Sequence, residues 1–340
     1  MSGVRSRSSL EPHNLPPEIL RVNEQVARNT LQHMKTLKTL STKGPSIEKL
    51  SEHSWPSDAV VLARGPSFFR QRYLEELKLA RQSNRQISIL CSDGTVANCL
   101  ERGVVPDIVV TVDPSIRILR WFGDPEGLTA HDDYFLKDRD SPKESKVLIG
   151  PKRTIELLDQ FGPQLTIAVD VFTHQKVFER IEAIGAKTFL YFPMSDDDRY
   201  MKDMWDRYPD LVSLSCGGNV GTAAYNLSRF LGARRICLCG FDFGYPPGTP
   251  LEQTQYFDVI AKHGRLADQM FLTVKNPHLE NAWFTDRVYL GYAYTLLKMV
   301  DDAADHGVET VNATNGGILF GPKLKWGSLK RFLTNAPKKS

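Results

Sequence analysis

Four clusters of glycine, aspartate, asparagine and serine stand where short apolar runs end. The first is Gly65-Pro66-Ser67. Glycine lets a ligand approach the backbone closely. A helix start beyond it offers N–H groups to a phosphate, and Ser67 can donate to that phosphate or cap the helix. The second cluster is Asp93, Asp107 and Asp113-Pro114. Carboxylates at strand ends can accept from ribose or base donors, hold a metal, or cap the next helix. Asp107 follows Pro106 at the start of its run, so it is expected at the opposite edge in a structural role. The third is Gly217-Gly218-Asn219-Val220-Gly221-Thr222, a second anion-cradle pattern. There Asn219 can read a phosphate, a carboxylate or a base edge, or simply open a helix, and Asp242 and Tyr245 are expected to face the same crevice. The fourth is Asn312-Ala313-Thr314-Asn315-Gly316-Gly317, rich in donors and acceptors, though turn formation alone also explains it. None of these is GxxxxGK[ST] or GxGxxG, so the P-loop and dinucleotide fingerprints are excluded. Of eight histidines, His174 and His263 are the candidate general bases, each weighed against a structural role.

The elements that position these residues follow from periodicity. Pro16-Pro17-Glu18 reads as a helix start, and Ile19, Val22, Val26, Leu31, Met34 and Leu37 recur at helical spacing until Gly44-Pro45 breaks them. From residue 57 the pattern becomes strand, turn, helix. Residues 58–63, 86–91 and 107–112 are apolar, β-branched strands, with helices expected over 68–83 and 95–102. Residues 147–150, 165–169 and 187–192 read as further strands. Residues 215–232 form a Gly-rich turn and helix feeding a strand within 234–245. Residues 246–285 are a candidate lid, 286–306 a long helix, and 308–317 a late strand and turn. Apolar strands alternating with helices predict an α/β fold, a mainly parallel Rossmann-like sheet flanked by helices. Ligands bind at the carboxyl ends of such strands, where the four clusters fall. The expected organisation is an N-terminal tail and helix over 1–50, a catalytic domain over 51–321, and a basic C-terminal helix or tail over 322–340.

With 340 residues, 41% hydrophobic and 24% charged, the chain is long enough for a sizeable core, and wholesale disorder is excluded. No apolar run approaches the roughly 18 residues of a membrane span. The start lacks a secretory h-region. Five cysteines without a CxxC pair read as buried small hydrophobes in a reducing, cytoplasmic setting. Net charge is +3, but residues 1–50 carry +4 and residues 318–340 carry +6. That asymmetry suits an anionic partner or a merely solvated tail. No nucleic-acid-binding module is visible.

The segments 60–68, 92–115, 217–245 and 311–321, in this order and spacing, resemble the motility-associated-factor (Maf) family of glycosyltransferase-like proteins. That family is related to archaeal 6-hydroxymethylpterin diphosphokinases. The matches are islands spread over most of 57–321. The resemblance implies a sialyltransferase-like core. It also implies transfer of a nonulosonic acid from a CMP-activated donor to a hydroxyl acceptor, in the best-known members Ser/Thr of flagellin. It implies that Gly65, Pro66, Ser67, Asp113 and Pro114 line the nucleotide site, completed by Gly217, Gly218, Asn219, Val220 and Asp242. Asp113, Asp242 and His174 are the catalytic candidates. Asp93, Tyr245, Asn312, Thr314 and Asn315 are candidate binding residues. The chain departs from the family at Arg64, where Gly or Asn is usual; Arg64 could pair with a phosphate or carboxylate, or sit on the surface. It departs again in the position of His263 and in its length, which leaves the acceptor open. Asp196-Asp197-Asp198 can be compared with the metal-binding DxD of some glycosyltransferases, although acidic runs in polar loops are commonly solvated.

Three functions are compatible with these residues. The leading one is CMP-sugar-dependent transfer. The second is Mg²⁺-dependent transfer of diphosphate from ATP to a pterin-like alcohol. The single Asp of Val110-Thr111-Val112-Asp113-Pro114-Ser115 disfavours it, because the diphosphokinase relatives carry a denser acidic motif there and such transfer leans on carboxylate-held metal. The third is a non-catalytic nucleotide- or sugar-sensing module. No metal ligands are assigned, and Mg²⁺ enters only with the second function.

Overall fold

The computed structural model describes residues 11–15, 17, 44–131, 149–255, 257 and 271–335. The expected helix over 18–43, His263 and the last five residues lie outside them. The chain runs β1 (Asp58–Leu62), α1 (Tyr73–Gln82), β2 (Ser88–Ser92), α2 (Asp93–Glu101), β3 (Ile108–Thr111), α3 (Pro151–Phe161), β4 (Thr166–Asp170), α4 (Gln175–Ala183), β5 (Lys187–Pro193), α5 (Asp198–Arg207) and β6 (Ser213–Leu214). It continues through α6 (Val220–Phe230), β7 (Arg235–Cys239), β8 (Phe271–Val274), β9 (Trp283–Asp286), α7 (Arg287–Asp305), β10 (Glu309–Asn312), β11 (Leu324–Trp326) and α8 (Leu329–Thr334).

Nine of these strands form one sheet in the order β11-β10-β7-β1-β2-β3-β4-β5-β6. Every pairing in it is parallel. The strands are apolar on both faces because both faces are covered. Ala59 and Val61 of β1 point into the core beneath α6 and α7, with Ala223, Leu227 and Leu296. Val60 and Leu62 point the other way, toward Leu77, Val96, Leu157 and Phe178. All five cysteines are buried and free. The fold is therefore the α/β, Rossmann-like arrangement that the periodicity predicts.

Several local expectations need correction. Residues 68–83 are not one helix. A short 3₁₀ turn, Pro66–Phe69, precedes α1. Ile149 and Gly150 carry no strand, and Pro151 opens α3 instead. A second 3₁₀ segment, Ile116–Phe122, follows β3. The late part of residues 246–285 contains the antiparallel hairpin β8–β9. Residues 322–335 add the sheet edge β11 and the helix α8. At the opposite, amino edge of the sheet, buried Asp58 is paired with both Arg85 and Arg235. Those arginines also donate to the carbonyls of Leu333 and Phe332 at the end of α8.

Strand order positions the site. The chain moves outward from β1 to β6, crosses back through α6, and resumes at β7 on the other side of β1. The connections leaving β1 and β7 run to opposite sides, so the switch point lies between these two strands, and open α/β sheets receive ligands at that edge.

Candidate active site

The loops after β1, β7 and β10 are locked together at one carboxylate. Ser67 donates its N–H to Asp242 Oδ2 at 3.0 Å and its hydroxyl to Asp242 Oδ1 at 2.5 Å. Gly65 N–H donates to the Gly240 carbonyl at 2.9 Å. The close approach explains the glycines. A methyl group on Gly65 would overlap Asp242 Oδ2 and the Gly240 carbonyl, and one on Gly316 would overlap Ser67 Oγ. Gly317, with φ +78°, lies against the backbone of Asp242, whose carbonyl accepts from Ile318 N–H at 2.8 Å. Asp242 is 1% exposed. Burial pushes its carboxyl up to about 7, against the pull of the two Ser67 donors.

Several of the expected ligand-binding groups make hydrogen bonds within the protein. The Gly65-Pro66-Ser67 loop spends the N–H groups of Gly65 and Ser67 inside the protein, and Pro66 has none. Asn312 holds the next loop from within, donating to the Leu319 carbonyl at 2.8 Å and accepting from Thr314 N–H at 2.9 Å. Thr314 Oγ1 accepts from Phe241 N–H at 3.0 Å. Asn315, with φ 54°, is the exposed residue of that turn. Tyr245 is 7% exposed. Its hydroxyl donates to Asp286 Oδ2 at 2.9 Å and accepts from Gln255 N–H at 3.0 Å, tying the β7 loop to the β8–β9 hairpin.

Gly217 and Gly218 take positive φ values of 55° and 81°, and a methyl group on Gly218 would stand 2.5 Å from the Tyr292 ring. Asn219 N-caps α6, accepting from Thr222 N–H at 2.9 Å and donating to Thr222 Oγ1 at 2.8 Å. Val220 is the first helical residue. The glycines make a tight entry into α6 at the carboxyl edge of the sheet. His174 is likewise a cap: its Nδ1 accepts from Lys176 N–H at 3.1 Å at the start of α4. A neutral imidazole that accepts at Nδ1 carries its proton on Nε2, so abstracting a proton would disrupt the cap. Asp197 caps α5 through Tyr200 N–H at 2.9 Å. Asp107 sits at the amino edge, paired with Arg81 and accepting from Ile89 N–H at 2.7 Å.

A second group assembles at the carboxyl ends of β2, β3 and β4. Asp93 is buried, accepting from Gly94 N–H at 2.6 Å and from the Thr111 hydroxyl at 2.8 Å. Burial pushes it up to about 7. The Thr111, Gly94 and Arg64 interactions pull it down, and the charge of Asp113 pushes it further up. Asp170, 1% exposed, accepts from Phe172 N–H at 2.8 Å. Burial drives it well above the ordinary carboxylate range, and Asp113 adds to the effect. Asp113 follows β3 with Pro114 beside it and accepts from Ser115 N–H at 2.8 Å. Its side chain reaches solvent, yet the protein packed around it desolvates the carboxyl enough to raise it, against Ser115 N–H and Arg117. Of these three strand-end carboxylates, Asp113 is the one a substrate can reach.

Sequence reasoning missed Asp170. Its signal was the same strand-end aspartate, hidden because Val171 and Phe172 prolong the apolar run. A family model described as 6-hydroxymethylpterin diphosphokinase MptE-like matches residues 29–248. The chain belongs to the MptE-like family. The MptE-like chain also shares its fold with a solved MAf glycosyltransferase from Magnetospirillum magneticum AMB-1, at TM-score 0.51 and 12% identity. That likeness covers 89% of this chain and 36% of the longer one, so it speaks for the fold and not for a shared substrate. No curated protein matches the chain.

Proposed function

We propose that this protein transfers a nonulosonic acid of the sialic type from a CMP-activated donor to a hydroxyl acceptor, a protein Ser/Thr or a surface glycan. The observation that supports this reading most is Asp113. It is exposed at the carboxyl edge of the sheet, just after β3, and its proton affinity is raised. A general base for a sugar or Ser/Thr hydroxyl needs reach and a raised proton affinity together. The protein packed around it desolvates the carboxyl and raises it, against the pull of Ser115 N–H and Arg117. In the reaction the acceptor oxygen bonds to the anomeric carbon of the donor. The bond from that carbon to the phosphate oxygen breaks, CMP departs with the electron pair, and the acceptor proton passes to Asp113. Asp242 holds the loops in place and contacts no substrate in this scheme.

The family description carries a second reading, Mg²⁺-dependent diphosphate transfer from ATP to a pterin-like alcohol. Among the described residues no group of three or more His, Cys, Asp or Glu side chains is arranged to hold a metal ion. The carboxylates at this edge already accept from neighbouring N–H and O–H groups. These residues do not fit a dedicated Mg²⁺ site, and no step is drawn through one.

The test is thermal stability against CMP, CDP, UDP, GDP, ADP and ATP, each with Mg²⁺ and with EDTA, followed by CMP release from CMP-nonulosonic acids. A ligand at about 100 times its Kd adds roughly 2.7 kcal/mol. The expected results are a CMP-selective shift that survives EDTA and turnover of a CMP-sugar. Asp113→Asn should bind like wild type and lose roughly 10²- to 10⁴-fold in kcat. An ATP-selective, Mg²⁺-dependent shift, or no binding and no hydrolysis of any CMP-sugar, refutes the proposal.

A further inference from the structure

The donor in that reaction is an anion, yet two of the amides expected to cradle it are spent on the protein. Gly65 N–H goes to Gly240, and Ser67 N–H goes to Asp242. The residue immediately before them is charged. Arg64 leaves β1 at the switch point, and its aliphatic stem lies across the first turn of α2. A methyl group on Gly94 would stand 2.6 Å from Arg64 Cδ. The guanidinium carbon lies 4.4 Å from the centroid of the Trp121 ring and 5.1 Å from that of Phe69. These rings come from the two 3₁₀ segments that follow β1 and β3. Arg64 is half-buried, and its charge reaches Asp93, which also feels Asp113.

We propose that Arg64 is the specificity-determining residue that reads the anionic group of the donor. This rests on the transferase reading above. Stacking on aromatic rings engages the face of a guanidinium, whereas hydrogen bonding belongs to its in-plane N–H edge. A guanidinium held by rings therefore has a fixed edge, and that edge matches the paired oxygens of a phosphate or carboxylate. Stacking also lowers the entropy lost on binding, because the side chain is ordered before the ligand arrives. Three packing partners, Gly94, Phe69 and Trp121, brace this one side chain, which is more than solvation of a surface arginine requires. The two sources of the anion are the nucleotide phosphate and the sugar carboxylate, and they differ in which ligands Arg64 should affect.

The experiment measures Kd by calorimetry for cytidine, CMP, a CMP-nonulosonic acid and ATP·Mg²⁺ with wild type, Arg64→Met, Arg64→Lys and Arg102→Gln. Arg64→Met keeps a stem for the rings and removes the charge. Arg64→Lys keeps the charge and removes the planar edge. Arg102→Gln cuts an exposed ion pair with Glu75 as a charge control. Circular dichroism confirms folding of each. The expected loss for both Arg64 variants is roughly 10- to 100-fold, with cytidine and Arg102→Gln unaffected. Equal losses for CMP and the CMP-sugar assign Arg64 to the phosphate, and a loss confined to the CMP-sugar assigns it to the carboxylate. If ATP·Mg²⁺ alone binds and Arg64→Met weakens it, the anion role stands while the transferase reading fails. Wild-type affinity for every ligand in Arg64→Met, or full affinity in Arg64→Lys, overturns the proposal.

Discussion

Asp242→Asn tests the reasoning about the locked loops. In this substitution the amide oxygen takes the place of Oδ2 and accepts from Ser67 N–H. The amide nitrogen takes the place of Oδ1 and donates to Ser67 Oγ. Both bonds survive, and only the titration is removed. Two effects compete at Asp242: burial raises its carboxyl, and the Ser67 donors lower it. Burial wins, leaving the folded carboxyl at about 7, against about 4 in the unfolded chain. Between those values the native state keeps a proton that the unfolded state has lost. Wild-type stability therefore falls as pH rises through this window, by about 1.4 kcal/mol per pH unit and about 4 kcal/mol in all. The substituted protein lacks this slope. Asp93, Asp170 and Asp286 are also raised and have the same sign in both proteins, so they cancel in the difference. Urea unfolding at pH 5, 6, 7, 8 and 9 should show Asp242→Asn gaining on wild type up to about pH 7 and holding a constant lead above it. A difference flat with pH means that burial does not dominate at this carboxyl. If the Ser67 donors win instead, the difference is flat over this range and changes only below about pH 4.

Gly65→Ala places a methyl group against Asp242 Oδ2 and the Gly240 carbonyl. A cost of about 1–3 kcal/mol in urea unfolding is expected, together with loss of nucleotide-induced stabilisation; wild-type stability would show that the loops are not locked. His174→Asn keeps an N-cap acceptor, so stability and turnover should both stay near wild type, whereas His174→Ala should lose about 1 kcal/mol. If His174→Asn folds normally and turns over no substrate, His174 is a base and not a cap.

The strands were legible because burial on both faces writes them as unbroken runs, as in Ala59-Val60-Val61-Leu62 and Ile236-Cys237-Leu238. The carboxyl edge was legible because glycine and aspartate end those runs. The roles of the residues were harder to read. Asn219, His174 and Asp242 have the types that ligand sites use, but a helix start or a tight corner wants the same donors and acceptors. Tyr245 and Asn312 have site-like types as well, and their hydrogen bonds to Asp286, 41 residues on, and to the Leu319 carbonyl, seven residues on, were not visible in the spacing. Strands β6, β8, β9 and β11 were missed because they are short and only partly buried, so no unbroken apolar run marks them. Asp170 was missed because its strand does not visibly end.

The carboxylate of Asp242 joins segments far apart along the chain: Ser67 lies 175 residues before it, and Gly316-Gly317 lie well after it. Contacts of such sequence separation form late in folding. The packing around Asp242 therefore cannot be completed on a chain that lacks β10 and its loop. The geometry of this edge depends on residues from Gly65 to Gly317 being present together.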